Sequence, residues 1–94
     1  MIKYNLFVGS NNETKELEKD LILETVSLWF GGFTASEVIG YWKGQKENTL
    51  KIEIVINGSV LNEDKINKLV LNLKEVCKQD SIMVEKVNSV ITFN

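Results

Sequence analysis

Thr34-Ala35-Ser36-Glu37-Val38-Ile39-Gly40-Tyr41-Trp42-Lys43, followed by Gly44 to Asn48 and then by Leu50-Lys51-Ile52-Glu53-Ile54-Val55-Ile56-Asn57, decides how this chain folds. The first stretch is rich in β-branched and aromatic residues but alternates poorly, since Val38-Ile39 and Tyr41-Trp42 put apolar groups on both faces. It reads as an edge strand covered on both sides. Gly44 to Asn48 reads as a short polar turn. Beyond it Leu50, Ile52, Ile54 and Ile56 alternate with Lys51, Glu53 and Asn57, with Val55 the one apolar exception, so one face is buried and the other largely polar. Two strands joined by so short a turn form an antiparallel hairpin in the middle of the chain.

Outward from the hairpin, each flank supplies a strand and a helix. Ile2, Tyr4, Leu6 and Val8 have period two and stop at Gly9, which is a first strand. Ser10-Asn11-Asn12 carries helix-capping chemistry with Glu13 behind it, so a helix is expected to begin near Glu13. Leu17, Leu21, Thr25 and Leu28, widened by Ile22, Val26 and Trp29, form its core-facing stripe, and Gly31-Gly32 ends it. After the hairpin, Gly58 and Asn62 punctuate the chain, and Glu63 and Asp64 occupy a first helical turn. Ile66, Leu69, Val70, Leu73, Val76 and Cys77 then run as a helical stripe. Ser81–Lys86 and Ser89–Phe93 are two β-prone pieces around Asn88, either one bulged strand or, as the favoured reading, a fourth strand and a short fifth. The order β-α-β-β-α-β is that of the split βαβ unit, an α+β ferredoxin-like sandwich with one antiparallel sheet. Right-handed crossovers place both helices on one face, leaving Phe7, Val38 or Ile39, Tyr41 or Trp42, and Val55 free to point from the other.

Composition narrows the function. With 94 residues there is room for one core, so residues 1–94 are read as a single domain. Such a domain buries only roughly 60 to 65% of its extended-chain surface, which favours self-association through a sheet face or edge. The net charge of -2 comes from 11 basic and 13 acidic residues, interleaved rather than clustered, which argues against binding a nucleic-acid duplex. No apolar run approaches the ~18 residues of a membrane span, and the first residues lack a signal-peptide pattern. With a single cysteine, Cys77, no intrachain disulfide can form, and a cytoplasmic location is expected.

Four anchors, Leu6-Phe7-Val8-Gly9, Phe30-Gly31-Gly32-Phe33-Thr34, Gly40-Tyr41-Trp42-Lys43 and Gln79-Asp80-Ser81-Ile82-Met83-Val84, together span nearly the whole chain. In their order the sequence resembles an uncharacterised family of small bacterial and phage ferredoxin-like proteins, a domain of unknown function. The chain departs from that pattern in a shorter hairpin and in Asp80, where Glu is usual. The resemblance implies architecture and a phage or bacterial setting, and carries no activity.

Candidate chemistry is sparse. The chain contains no histidine, which removes Ser-His-Asp and Cys-His arrangements and every His-based metal site. Cys77 lies on an apolar stripe, where a thiol behaves as a small hydrophobe. Glu37, Glu53 and Glu85 fall on strands and would form a carboxylate pair only if they share a face; otherwise they are solvated strand positions. Gly9, Ser10, Asn11 and Asn12 follow a strand and precede a helix, where backbone N–H groups can receive a phosphate or carboxylate, although the same residues serve equally to turn and cap. Tyr41, Trp42 and Lys43 set two aromatic rings beside a cation, suited to stacking on a nucleobase or to anchoring an interface, and also to core packing.

Two readings follow. In the first the chain is a non-catalytic, cytoplasmic, homo-oligomeric binding module. It holds a small anionic or nucleotide-like ligand, as a phage sponge would, or a host protein partner, on the open sheet face. Gly9, Ser10, Asn11, Asn12, Tyr41, Trp42 and Lys43 are the expected contacts, and no catalytic residue, metal or cofactor is invoked. In the second it resembles small dimeric ferredoxin-like oxygenases and isomerases that work without a cofactor, with Trp29, Tyr41, Asn5 and Glu37 lining a cavity.

Overall fold

A computed structural model describes residues 1–93, arranged as β1 (Ile2–Val8), α1 (Lys19–Trp29), β2 (Thr34–Trp42), β3 (Gln45–Ile56), α2 (Val60–Val76) and β4 (Met83–Asn88). The four strands form one antiparallel sheet in the order β2-β3-β1-β4. This is the ferredoxin-like arrangement expected from the sequence. The register sets Leu6 opposite both Ile52 and Val84, and Tyr4 opposite Ile54 and Lys86. One face of the sheet therefore presents Tyr4, Leu6, Val8, Leu50, Ile52, Ile54 and Ile56, all buried. Ile22, Val26 and Phe30 close over it from α1 and its C-terminal end, and Ile66, Leu69, Leu73 and Cys77 from α2 and its cap. The period-two and period-3.6 stripes meet in a single core.

The strands of the hairpin are longer and its turn tighter than the polar stretch Gly44 to Asn48 suggests. Trp42 pairs with Gln45, so the loop is only Lys43 and Gly44, with φ of 51° and 75°. Two successive left-handed residues make the turn whose twist matches that of the strands, and the polar residues after it continue the ladder. Because β1 stops opposite Leu50, the outer half of β2 and β3 extends past the sheet as an arm. The expectation that β2 is covered on both sides fails for the same reason: Ile39, Tyr41 and Trp42 are 60%, 72% and 67% exposed.

α1 begins at Lys19 rather than near Glu13. Asn11, buried at 6% exposure, accepts the backbone N–H groups of Glu13 and Thr14 on Oδ1 at 2.8 and 3.1 Å. The single turn this organises ends at Lys15, whose φ of 66° cannot continue a helix. Capping residues thus nucleate a loop turn instead of the helix. Ser59 caps α2, accepting the Asn62 N–H, so that helix starts at Val60 with Glu63 in its first turn. Ser89–Phe93 forms no fifth strand; Val90 and Phe93 stand 95% and 91% exposed. Among the described residues no helix is long and apolar enough to cross a membrane.

Candidate functional site

On the helix-free face the ladder builds rows across the sheet. The central row runs Thr34, Glu53, Asn5 and Glu85, from β2 through β3 and β1 to β4. Below it lie Ser36, Lys51, Phe7 and Met83, and above it Val55, Lys3 and Val87. Asn5 is the unusual member. It is only 3% exposed although no helix covers this face, because it stands on the central strand between two long glutamates.

Its amide is half satisfied. Nδ2 donates to Glu85 Oε1 at 2.7 Å, while Oδ1 is buried with no hydrogen-bond partner among the described residues. The orientation follows from chemistry: a carboxylate only accepts, so the nitrogen must be the atom facing Glu85. A buried carbonyl oxygen lacking a donor costs ~1–3 kcal/mol, a cost that a ligand donor would remove. Glu53 is paired to Lys51 at 3.1 Å, whereas among the described residues no cation pairs with Glu85. Lys51 also lies 5.9 Å from the Phe7 ring centroid. The row therefore offers three acceptors, one spare carboxylate charge and an aromatic ring one row away. Among the described residues no cluster of acids and thiols could hold a metal ion.

Of the three strand glutamates singled out in the sequence, Glu53 and Glu85 share this face, on either side of Asn5. Their strands are two sheet spacings apart, about 10 Å. Glu37 belongs to the opposite face, where it pairs with Lys19 at 3.3 Å. Asn5, reached in the sequence only as part of a cavity lining, is the residue at the centre. Its position on an alternating strand, out of phase with the apolar residues, was the legible signal.

The remaining candidates lie elsewhere. The Gly9–Asn12 segment does not open a helix, and the backbone N–H groups of Ser10, Asn11 and Asn12 are engaged, the last two by the Glu16 and Lys78 carbonyls. Glu47 Oε1 accepts the Ser10 N–H at 3.0 Å, Ser10 Oγ donates to the Asn48 carbonyl, and the Ser10 carbonyl accepts from Gln79. The Gly9 position is tied to the same contact, since a Cβ there would run into the Glu47 carboxylate. Asn12 is exposed. Tyr41, Trp42 and Lys43 stand at the tip of the arm, Trp42 on the helix-free side and Tyr41 on the other. Gln45, opposite Trp42, is eight residues along β3 from Glu53, about 26 Å, so the arm and the Asn5 row do not form one site within a chain. Trp29 is half-buried on α1 and donates its indole N–H to Asn72 Oδ1 at 3.3 Å, on the helix side of the molecule. No cavity gathers Trp29, Tyr41, Asn5 and Glu37. Cys77 is 1% exposed at the end of α2, and burial together with the nearby Glu18 carboxylate pushes its thiol up to about 11, which keeps it protonated and inert.

No protein-family model matches this chain, and no curated protein does. Among solved structures it is similar to a phage SAM lyase in the apo state, at 26% identity and a TM-score of 0.63, covering 92% of this chain and 78% of the other. It is also similar to a phage SAM lyase in complex with S-methyl-5'-thioadenosine, at 22% identity and a TM-score of 0.62, with 92% and 79% covered. A third likeness is to a DUF3240 family protein from Shewanella baltica, at 17% identity and a TM-score of 0.64, with 99% and 94% covered.

Proposed function

We propose that this chain binds a small adenosine-type ligand, S-adenosylmethionine or a related thioether, on the helix-free face around Asn5. The unpartnered, buried Oδ1 of Asn5 carries this reading. An asparagine amide matches the edge of adenine, accepting from its exocyclic amine while donating to the adjacent ring nitrogen, and Nδ2 keeps a second hydrogen beyond the one given to Glu85. Glu85 can accept ribose hydroxyls and balance a positively charged sulfonium or ammonium. Phe7 supplies a ring for the base to pack on, once Lys51 swings aside. The long side chains on either side of Asn5 are flexible and can part without disturbing the sheet. The likeness to a phage SAM lyase supports the ligand class, and the complex of such a lyase with S-methyl-5'-thioadenosine supports a nucleotide-like occupant.

The same likeness favours a second reading, in which the chain also cleaves S-adenosylmethionine: the ligand's own carboxylate forms a C–O bond to its γ-carbon as the C–S bond there breaks, releasing S-methyl-5'-thioadenosine and homoserine lactone, while Glu53 and Glu85 hold the ligand's ammonium and ribose. Calorimetric titration with S-adenosylmethionine and with S-methyl-5'-thioadenosine tests binding. Asn5→Ala is expected to weaken either ligand about tenfold, the loss of one or two buried hydrogen bonds. An unchanged affinity in that variant contradicts the site. Incubation with S-adenosylmethionine and mass detection of S-methyl-5'-thioadenosine separates a binder from a lyase: accumulation with time and enzyme dose supports cleavage, and none leaves the binding module.

A further inference from the structure

One edge of the sheet is bare at β4 among the described residues, and Val90–Phe93 beyond it are β-prone and belong to no strand. Met83 and Val84 are 63% and 40% exposed, and Val90 and Phe93 almost fully so. The Ser89 N–H bonds the Met1 carbonyl at 3.0 Å, which fixes the phase of the ladder: Met83, Glu85, Val87 and Ser89 bond inward to β1, while the N–H and C=O groups of Val84, Lys86 and Asn88 face outward from the edge. Beside that edge, between α2 and β4, runs a groove of about 340 Å³ whose apolar wall is Tyr4, Ile66, Val70, Leu71 and Val84. The segment Ser89–Phe93 cannot fold back onto its own β4, since a tight turn would consume most of it. An unpaired edge and an unpaired β-prone segment in one chain are complementary only between two chains.

We propose that β4 and the residues following it pair antiparallel with the same stretch of a second copy, about a two-fold axis at Val87. Charge and pattern select that register. An axis at Glu85 would set Glu85 against itself, and one at Lys86 would do the same with two lysines; like charges directly opposite destabilise a ladder. An axis at Val84 leaves the exposed segment unpaired, and one at Asn88 sets Glu85 against Ile91 and Lys86 against Val90. At Val87, every apolar residue from Met83 to Ile91 meets an apolar one: Val87 its own mate, Met83 Ile91, and Val84 Val90. Glu85 faces Ser89, and Lys86 faces Asn88. Val90 of the second copy then lies on the helix side over the groove, and Phe93 falls diagonally beside Met83, an aromatic ring against a thioether. The outward groups of Val84, Lys86 and Asn88 are satisfied, and two four-stranded sheets become one of eight. This assembly is independent of the ligand reading.

Light scattering during size exclusion and oxidative cross-linking of Val87→Cys test it together. Val87 is a non-hydrogen-bonded position meeting its own mate, where Cα atoms lie close enough for a disulfide. The expected result is a dimer, trapped covalently on oxidation of Val87→Cys, with Val90→Asp weakening the dimer about tenfold or more. Val90 is exposed in the single chain, so that substitution cannot act by unfolding it. A monomer, or an oligomer that Val90→Asp leaves intact and Val87→Cys does not cross-link, overturns the proposal.

Discussion

At the scale of single residues, two polar or reactive groups are buried for opposite reasons. Cys77 is buried among Leu69, Leu73 and the strand residues of the core, and its raised thiol has the direction that desolvation dictates. The sign follows directly. A thiol raised from its ordinary 9.0 to about 11 favours the native state while protonated, and that advantage fades as pH rises past 9.0 toward the raised value. Native protein at neutral pH should therefore leave Cys77 unmodified by a thiol reagent, with full reaction only in denaturant; rapid native labelling would refute its burial. Asn5 is buried with an acceptor left over, which a merely structural asparagine does not need. The absence of histidine and the inert thiol were plain in the sequence. The orphaned oxygen was not, because it depends on which two strands flank β1.

At the scale of elements, the hairpin and the α2–β4 contact carry the measurable consequences. Lys43 occupies a left-handed position that an L side chain adopts at a cost, beside Gly44, which adopts it freely. Lys43→Asn should stabilise the chain by about 0.5 kcal/mol and Gly44→Val destabilise it by about 1–2 kcal/mol in urea unfolding, if the turn is the two-residue left-handed type. Equal and small effects would mean a different loop. Across the top of the sheet Lys86 meets the Glu63 carboxylate, to which Tyr4 also donates at 3.4 Å. The hydrogen bond and charge of Lys86 hold Glu63 below its ordinary 4.5, and Glu63 in turn raises Lys86 above 10.5. Whatever stability this exposed pair gives is present between those values. It is lost as pH falls through the lowered Glu63 value, and again as pH rises through the raised Lys86 value. The stability difference between wild type and Lys86→Met should accordingly be constant near neutrality and shrink below pH 4.5; a difference that persists in acid would assign Lys86 a packing role instead. Strand and helix periodicity was readable from the amino-acid pattern, whereas element ends were not. Asn11 turned a capping sequence into a loop turn, and the left-handed pair at Lys43-Gly44 set the hairpin tip at the start of its polar stretch rather than in the middle of it.

At the scale of the whole molecule, the split βαβ order places the apolar faces of four strands under two helices and leaves the other face of the sheet bare. That much followed from element order and crossover handedness. Which face of the sheet the helices leave open was also legible from pattern alone. The specific contacts expected there were not all on it, because Gly9–Asn12 is locked to Glu47 and Gln79 at one end, and Tyr41-Trp42-Lys43 projects on an arm that the alternation of β2 could not place. What the face does gather, Asn5 between Glu53 and Glu85 with Phe7 beside them, comes from three strands distant in sequence and exists only once the register is set. Its occupancy is therefore the central claim. A nitrogen-15 NMR titration with S-adenosylmethionine tests it most directly. The account predicts saturable shifts of the Asn5 side-chain amide and of the backbone at Phe7, Glu53 and Glu85, lost in Asn5→Ala. Saturable shifts confined to Gly9–Asn12 or to the hairpin tip, or no saturable shift anywhere, would contradict it.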